Sequence, residues 1–205
     1  MFFYFYFCES SFLSRCRGKK NKCSREAPKK DKLKREKKLT SLIQKKKCLQ
    51  ALDRAVKAGR LLAQLLLANR HGGRPVTLIG YSMGARLVFH CLLELSRAAA
   101  AGGITNDLSR AGGGNGAIVE NAVLLGAPVA AHPARWAMAR RAVAGRLVNG
   151  YSRSDWILGV VFRASSGFVR PAGGLCPVKV SGVENVNLGA VIKGHLDYAG
   201  NLPEI

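Results

Sequence analysis

Ser82 stands between two glycines in the run Gly80-Tyr81-Ser82-Met83-Gly84. A serine hydroxyl is a weak nucleophile unless a neighbouring base takes its proton. A sharp strand-to-helix turn would lift it above a sheet, where a base can reach it. Such a turn is crowded, so the positions two before and two after the serine must be small, and here they are Gly80 and Gly84. Ala85 extends the small region. The helix that follows would aim its N-terminus at the serine, leaving the Met83 N–H where an oxyanion develops. The bland alternative is a small residue in a tight turn. In a chain with 23 glycines the string alone is weak, and its context must decide.

An activated serine also needs an acid and a histidine further along the chain. Four histidines are available. His71 precedes the elbow strand, on the wrong side of a sheet. His90 lies about two turns into the following helix and reads as a packed or solvated helix residue. His132 follows Pro128 at the correct end of a strand and is the alternative base. His195 follows the last strand, at the carboxyl end where open α/β sheets gather their chemistry, and is the preferred one. For the acid, Asp155 follows the strand "RLVNGYSRSD" and precedes His195. Its competing reading is a helix-start aspartate beside Ser154 that interacts only with the helix dipole. Asp197 is too local to brace the His195 ring, Asp107 lies in a glycine-rich loop, and Glu184 lies inside a strand. Asp155 is therefore preferred.

The elements that must position these residues alternate. "LQALDRAVKAGRLLAQLLLANR" places Leu52, Val56, Leu62, Leu65 and Leu66 at helical spacing, ending at Gly72 and Gly73. "VTLIG" is a short β-branched run of a strand buried on both faces. "MGARLVFHCLLELSRAAA" reads as a helix and "ITNDLSRAGGGNG" as a loop. "AIVENAVLLGAP" is a strand stopped by Pro128, and residues 133 to 144 are a helix with Pro133 in its first turn. "GRLVNGYS" is a third strand, followed by the helix "SDWILGVVFRASS" with Ser154 at its N-cap. "CPVKVSGVENVNL" is a fourth strand with a turn at Gly182, and "GHLDYAGNLPEI" opens a last helix. Strand and helix in strict succession imply a parallel sheet wound by right-handed crossovers.

Composition bounds the rest. A chain of 205 residues can bury one real core. The net charge of +21 is unevenly built: residues 1 to 50 hold 12 Lys and 4 Arg, the remainder 3 Lys and 14 Arg. Alanine and glycine are scarce in the first stretch and abundant in the second. Residues 1–48 therefore read as a basic low-complexity leader, disordered or of foreign coding origin, and 49–205 as the folded part. The lysine run is expected to be solvated; its sharper readings are a nuclear-import or anionic-lipid patch. The scattered arginines of the folded part argue against a phosphate-tracking surface, so nucleic acid is not expected as a partner. The six cysteines form no C-x-x-C pair, which supports neither a zinc site nor a disulfide framework. "MFFYFYF" is too short to span a bilayer, and no other stretch reaches that length.

Four blocks carry a resemblance: "RPVTLIGYSMGARLVFHCL", "VENAVLLGAPV", "GRLVNGYSRSDWILGVVFR" and "VENVNL" followed by "GHLDYA". In this order they resemble one branch of the α/β-hydrolase fold, the branch that includes the transmembrane and coiled-coil domain protein four with its fungal and plant relatives. The resemblance covers about residues 50 to 200. It implies Ser82, Asp155 and His195 as triad positions. It also implies a membrane-associated protein facing the cytoplasm, with hydrophobic segments ahead of this region. The substrate is not implied. The expected class is α/β: a partial α/β-hydrolase fold, its parallel sheet covered by helices on both faces. An α/β-hydrolase sheet carries several strands before the elbow strand, and one of their loops donates the second oxyanion N–H. Nothing in residues 1 to 50 reads as those strands, so they are expected to be missing. The expected function is a serine hydrolase cleaving an ester of a lipid-like small molecule through an acyl-enzyme, with no cofactor and no metal. The alternative is a non-catalytic hydrolase-like module that serves membrane-associated interaction.

Overall fold

Among the described residues, every strand points the same way. The computed structural model describes residues 2–6, 29–101, 118–166, 170–195 and 197–201. Strands β2 (Val76–Tyr81), β3 (Val119–Leu125), β4 (Leu147–Tyr151) and β5 (Val183–Asn187) form an all-parallel sheet in that spatial order. Strand β1 (Phe2–Tyr6) pairs in parallel with β2, Tyr6 opposite Tyr81. The expectation that no strand precedes the elbow strand is corrected here. Five aromatic residues in a row suit a pleated surface, whatever their length relative to a bilayer.

Helix α1 (Lys29–Leu67) joins the lysine run to the apolar periodicity without a break. Residue 48 lies inside this helix, because the helical propensity of lysine, leucine and glutamine carries through it. Helices α2 (Met83–Ala100), α3 (Pro133–Arg141), α4 (Trp156–Ser166) and the short α5 (Asp197–Gly200) follow, with a 3-10 turn at Gly173–Leu175. The glycine-rich loop expected over "ITNDLSRAGGGNG", with Asp107, lies outside the described residues, as does part of the last helix.

With the strands in sequential order, crossovers of one hand bring α1, α2 and α3 to one face. There α1, α2 and α3 cover the main core. Leu78, Ala122 and Leu124 of the sheet meet Leu52, Phe89, Leu92 and Trp136 of the helices. The Gly59 backbone of α1 fits so closely on α2 that a Cβ there would lie 2.4 Å from the Leu87 carbonyl oxygen. The opposite face carries a smaller cluster of Tyr81, Leu125, Leu188, Ile192 and Tyr198. Helical cover is thus heavy on one face and, among the described residues, limited to α5 on the other. Residues 176–182, expected as the first half of a strand, do not join the sheet; Asn149 and Asn185 side chains hold their backbone instead.

Candidate active site

Strand β2 ends in Tyr81 and helix α2 begins at Met83, so Ser82 alone makes the turn. Its backbone sits at φ 52°, ψ −118°, a conformation that L-residues rarely adopt. The Ser82 N–H still donates to the Leu125 carbonyl at 2.9 Å, and the Ser82 carbonyl accepts the first helical bond from Arg86 N–H at 3.1 Å. The turn is therefore held from the sheet side and from the helix side. A Cβ on Gly80 would lie 2.6 Å from the Gly84 carbonyl oxygen and 2.7 Å from the Ala85 nitrogen. The strand can approach the helix this closely only with glycine at position 80.

The chain returns to this turn twice. After β4, Asp155 sits fully buried just ahead of α4; after β5, a loop delivers His195. Ser82 Oγ lies 2.7 Å from His195 Nε2, and His195 Nδ1 lies 2.6 Å from Asp155 Oδ2. Ser82 and His195 are each only 5 % exposed. The second carboxylate oxygen of Asp155 accepts the Leu158 N–H at 2.9 Å, which satisfies a first-turn donor of α4. A buried carboxylate is tolerated when its oxygens are occupied in this way. Asp155 thus has both readings that its sequence position allowed: it caps a helix and it braces an imidazole.

The His195 loop is fastened by groups whose roles the sequence does not announce. Asp197 Oδ2 accepts the N–H groups of Gly194 at 2.8 Å and Lys193 at 3.0 Å, so it holds the backbone ahead of the histidine and not its ring. Ser152 Oγ donates to the Ile192 carbonyl at 2.9 Å. The Tyr81 hydroxyl donates to the His195 carbonyl, and its ring lies 5.2 Å from the imidazole. The Tyr198 ring lies 4.9 Å from that of Tyr81 and meets the imidazole edge-on at 6.2 Å, so the three rings form one cluster. The buried Tyr198 hydroxyl has no hydrogen-bond partner among the described residues, and burial, with the nearby Asp155 charge, pushes its ionisation well above the usual tyrosine range.

The other candidates fall elsewhere. His132 is an exposed residue at the start of α3. His71 lies in the turn before β2, at the opposite end of the sheet. His90 is buried inside α2; burial and the charges of Arg86, Arg135, Arg60 and Arg97 press its ionisation down to about 3. Glu184 pairs with Arg146 at 2.6 Å on the surface. No group of three or more potential metal ligands occurs among the described residues. Met83 opens α2, and its N–H belongs to the first turn, which has no helical acceptor. This is an electropositive position beside Ser82 Oγ.

Known proteins match about three quarters of the chain. The chain is 46% identical over 155 residues to the transmembrane and coiled-coil domain-containing protein STS1 of Oryza sativa subsp. japonica, covering 76% of this chain and 21% of that protein. It is 40% identical over 157 residues to an uncharacterized membrane protein of Caenorhabditis elegans, covering 75% and 23%. It is 39% identical over 156 residues to the probable lipase MIL1 of Saccharomyces cerevisiae, covering 76% and 13%. The chain thus spans less than a quarter of the length of these relatives. Two are named as transmembrane or membrane proteins, while no helix among the described residues is long and apolar enough to cross a membrane. No solved structure matches. The profile of one family matches residues 37–205, and the chain belongs to it: the family described as protein of unknown function, DUF726.

Proposed function

We propose that this region is the serine-bearing part of an α/β-hydrolase-fold esterase that cleaves a lipid-like ester through an acyl-enzyme. The observation that carries the reading is the buried relay from Ser82 Oγ to His195 Nε2 at 2.7 Å and from His195 Nδ1 to Asp155 Oδ2 at 2.6 Å, on a serine held at positive φ. A structural serine in a tight turn needs neither a buried histidine nor a buried carboxylate behind it.

In this reading the Ser82 hydroxyl gives its proton to His195 Nε2 as Oγ attacks the ester carbonyl carbon. The developing oxyanion faces the Met83 N–H at the positive end of α2. Asp155 holds the Nδ1–H tautomer of His195 and stabilises the imidazolium that forms. The imidazolium then gives its proton to the departing alkoxide, and the acyl group stays on Ser82. Water repeats the sequence in the second half, with His195 as base, and releases the carboxylic acid. The route requires no metal or organic cofactor. A lipid-like acyl substrate is supported by the name probable lipase carried by the yeast relative. The test is covalent labelling with a fluorophosphonate probe, followed by peptide mapping. Ser82 is expected to carry the label and Ser82→Ala to carry none; labelling that persists in Ser82→Ala refutes the nucleophile.

A further inference from the structure

Helix α4 is placed unlike the helices that cover the sheet. It starts directly after Asp155, and the chain returns from it through Gly173 and Gly174, whose N–H groups donate to Val129 and Ala127 beyond the end of β3. Both ends of the excursion therefore lie at the end of the sheet that carries Ser82. Leu158 and Phe162 turn inward and are buried. On the opposite stripe, Trp156 is 68 % exposed and Val160 59 %, one helical turn apart, followed by exposed Arg163. Arg153, just ahead of the helix, is exposed as well.

Helix α1 reaches the same end. Its Leu52 carbonyl accepts from Arg86 Nε at 3.2 Å, and Arg86 Nη1 donates to the Pro128 carbonyl at 2.7 Å, next to the end of β3. Leu52 is thus level with the first turn of α2, and α1 runs from there down to the start of β2. The helix extends 23 residues upstream of Leu52, roughly 35 Å at 1.5 Å per residue, past the catalytic end. It meets α4 there. This upstream half carries nine lysines and one arginine between Lys29 and Lys47, against Asp31 and Glu36. Lys46 and Lys47 are exposed.

We propose that this end of the molecule docks on the surface of an anionic phospholipid bilayer, with Trp156 and Val160 entering the interface and the net positive charge of the upstream half of α1, which includes exposed Lys46 and Lys47, adding long-range attraction to the headgroups. An exposed tryptophan beside a valine, next to a polybasic helix, matches a surface that is apolar below and negative above. Trp gains most at the headgroup level, where one side of its ring is apolar and the other wet. The inference deepens the hydrolase reading and rests on it for what is delivered: a lipid ester leaving the bilayer beside α4 has Asp155, and behind it Ser82, within the same cap.

The test uses the 205-residue chain and vesicles of phosphatidylcholine, alone or with about a third phosphatidylserine. Cosedimentation is expected to be about tenfold or more stronger with phosphatidylserine. The chain has two tryptophans and Trp136 is fully buried, so a blue shift of emission on adding vesicles reports Trp156. The pair Trp156→Ser with Val160→Ser should lose the shift and most of the binding while keeping the wild-type circular dichroism. The pair Lys46→Glu with Lys47→Glu should weaken binding to phosphatidylserine vesicles. Ser82→Ala should bind vesicles normally, so failure of labelling and failure of docking are read separately. Four results overturn the proposal: no binding, equal binding to neutral vesicles, binding that leaves Trp156 emission unchanged, or a blue shift without vesicles that grows with protein concentration. The last would mean that a second copy covers α4.

Discussion

Asp155→Asn is the sharpest perturbation of the proposed relay, because it changes charge and donor pattern while leaving shape almost intact. The carboxylate accepts two hydrogen bonds: Leu158 N–H at 2.9 Å on Oδ1 and His195 Nδ1–H at 2.6 Å on Oδ2. An asparagine has one acceptor and one donor on those two positions. The backbone N–H of Leu158 cannot become an acceptor, so the amide oxygen must face it and the NH2 group must face His195. His195 Nδ1 then has to accept, which moves the ring proton to Nε2. That proton points at Ser82 Oγ, 2.7 Å away, and the imidazole can no longer take the serine proton. In a serine protease the equivalent change lowers turnover about 10⁴-fold, close to 5.5 kcal/mol on the barrier. The same order is expected here for the rate of Ser82 labelling by a fluorophosphonate. Both hydrogen bonds persist in the variant, so stability should change by no more than about 1 kcal/mol. Stopped-time labelling and denaturant unfolding of the same preparations measure the two quantities. Labelling within about tenfold of the parent, in a folded variant, would refute the relay.

Other substitutions test the scaffold. Gly80→Ala places a Cβ 2.6 Å from the Gly84 carbonyl oxygen, a backbone atom that cannot swing away, and should cost about 1–3 kcal/mol in denaturant unfolding, with slower labelling of Ser82. Tyr198→Phe removes a buried hydroxyl that has no partner among the described residues and should leave the melting temperature unchanged or raise it, by up to about 1 kcal/mol of stability. His90 is held neutral in the folded state, its ionisation lowered from 6.5 to about 3 by burial first and by four arginines second. The unfolded chain therefore binds the extra proton between those values, and stability is lost as pH falls through that window. Between pH 7 and pH 5 the His90 contribution should fall by about 1–2 kcal/mol, a loss that His90→Leu abolishes, as unfolding at the two pH values will show.

The parts of the fold that were legible in the sequence are those where local chemistry and tertiary packing ask for the same residues. Helix α2 runs over Met83–Ala100, the span the sequence shows between the small-residue turn and the loop. Ser82, Asp155 and His195 come together because each follows a strand, and a parallel sheet collects the ends of its strands at one edge. Position 155 illustrates the limit: an aspartate that caps a helix and one that bonds an imidazole have the same local sequence, and only the fold shows that one carboxylate does both. Strand β1 was hidden because nothing in "FFYFY" encodes a partner about seventy residues away. The start of α1 was hidden because its first half has no apolar stripe; Pro28, just ahead of Lys29, was the available signal. The segment "CPVKVS" alternates as a strand should, yet its backbone bonds to the side chains of Asn149 and Asn185, a choice that period-two patterning cannot reveal.

Asp155 also links the two proposals of function. Its Oδ1 fastens the first turn of α4, the turn that bears Trp156, and its Oδ2 fastens His195. The oxygens belong to one planar group, so the helix start and the imidazole share a single rigid anchor. A docking edge built on a loop would leave its distance from Ser82 loosely defined. Here the exposed indole is the next residue after the buried Asp155, which is one hydrogen bond from His195 and two from Ser82. A surface that engages α4 at Trp156 is thereby held at a fixed offset from Ser82 Oγ, set by the strand end, the carboxylate and the ring rather than by a flexible connection. Substrate drawn from such a surface would reach the serine without the protein having to reorganise the relay.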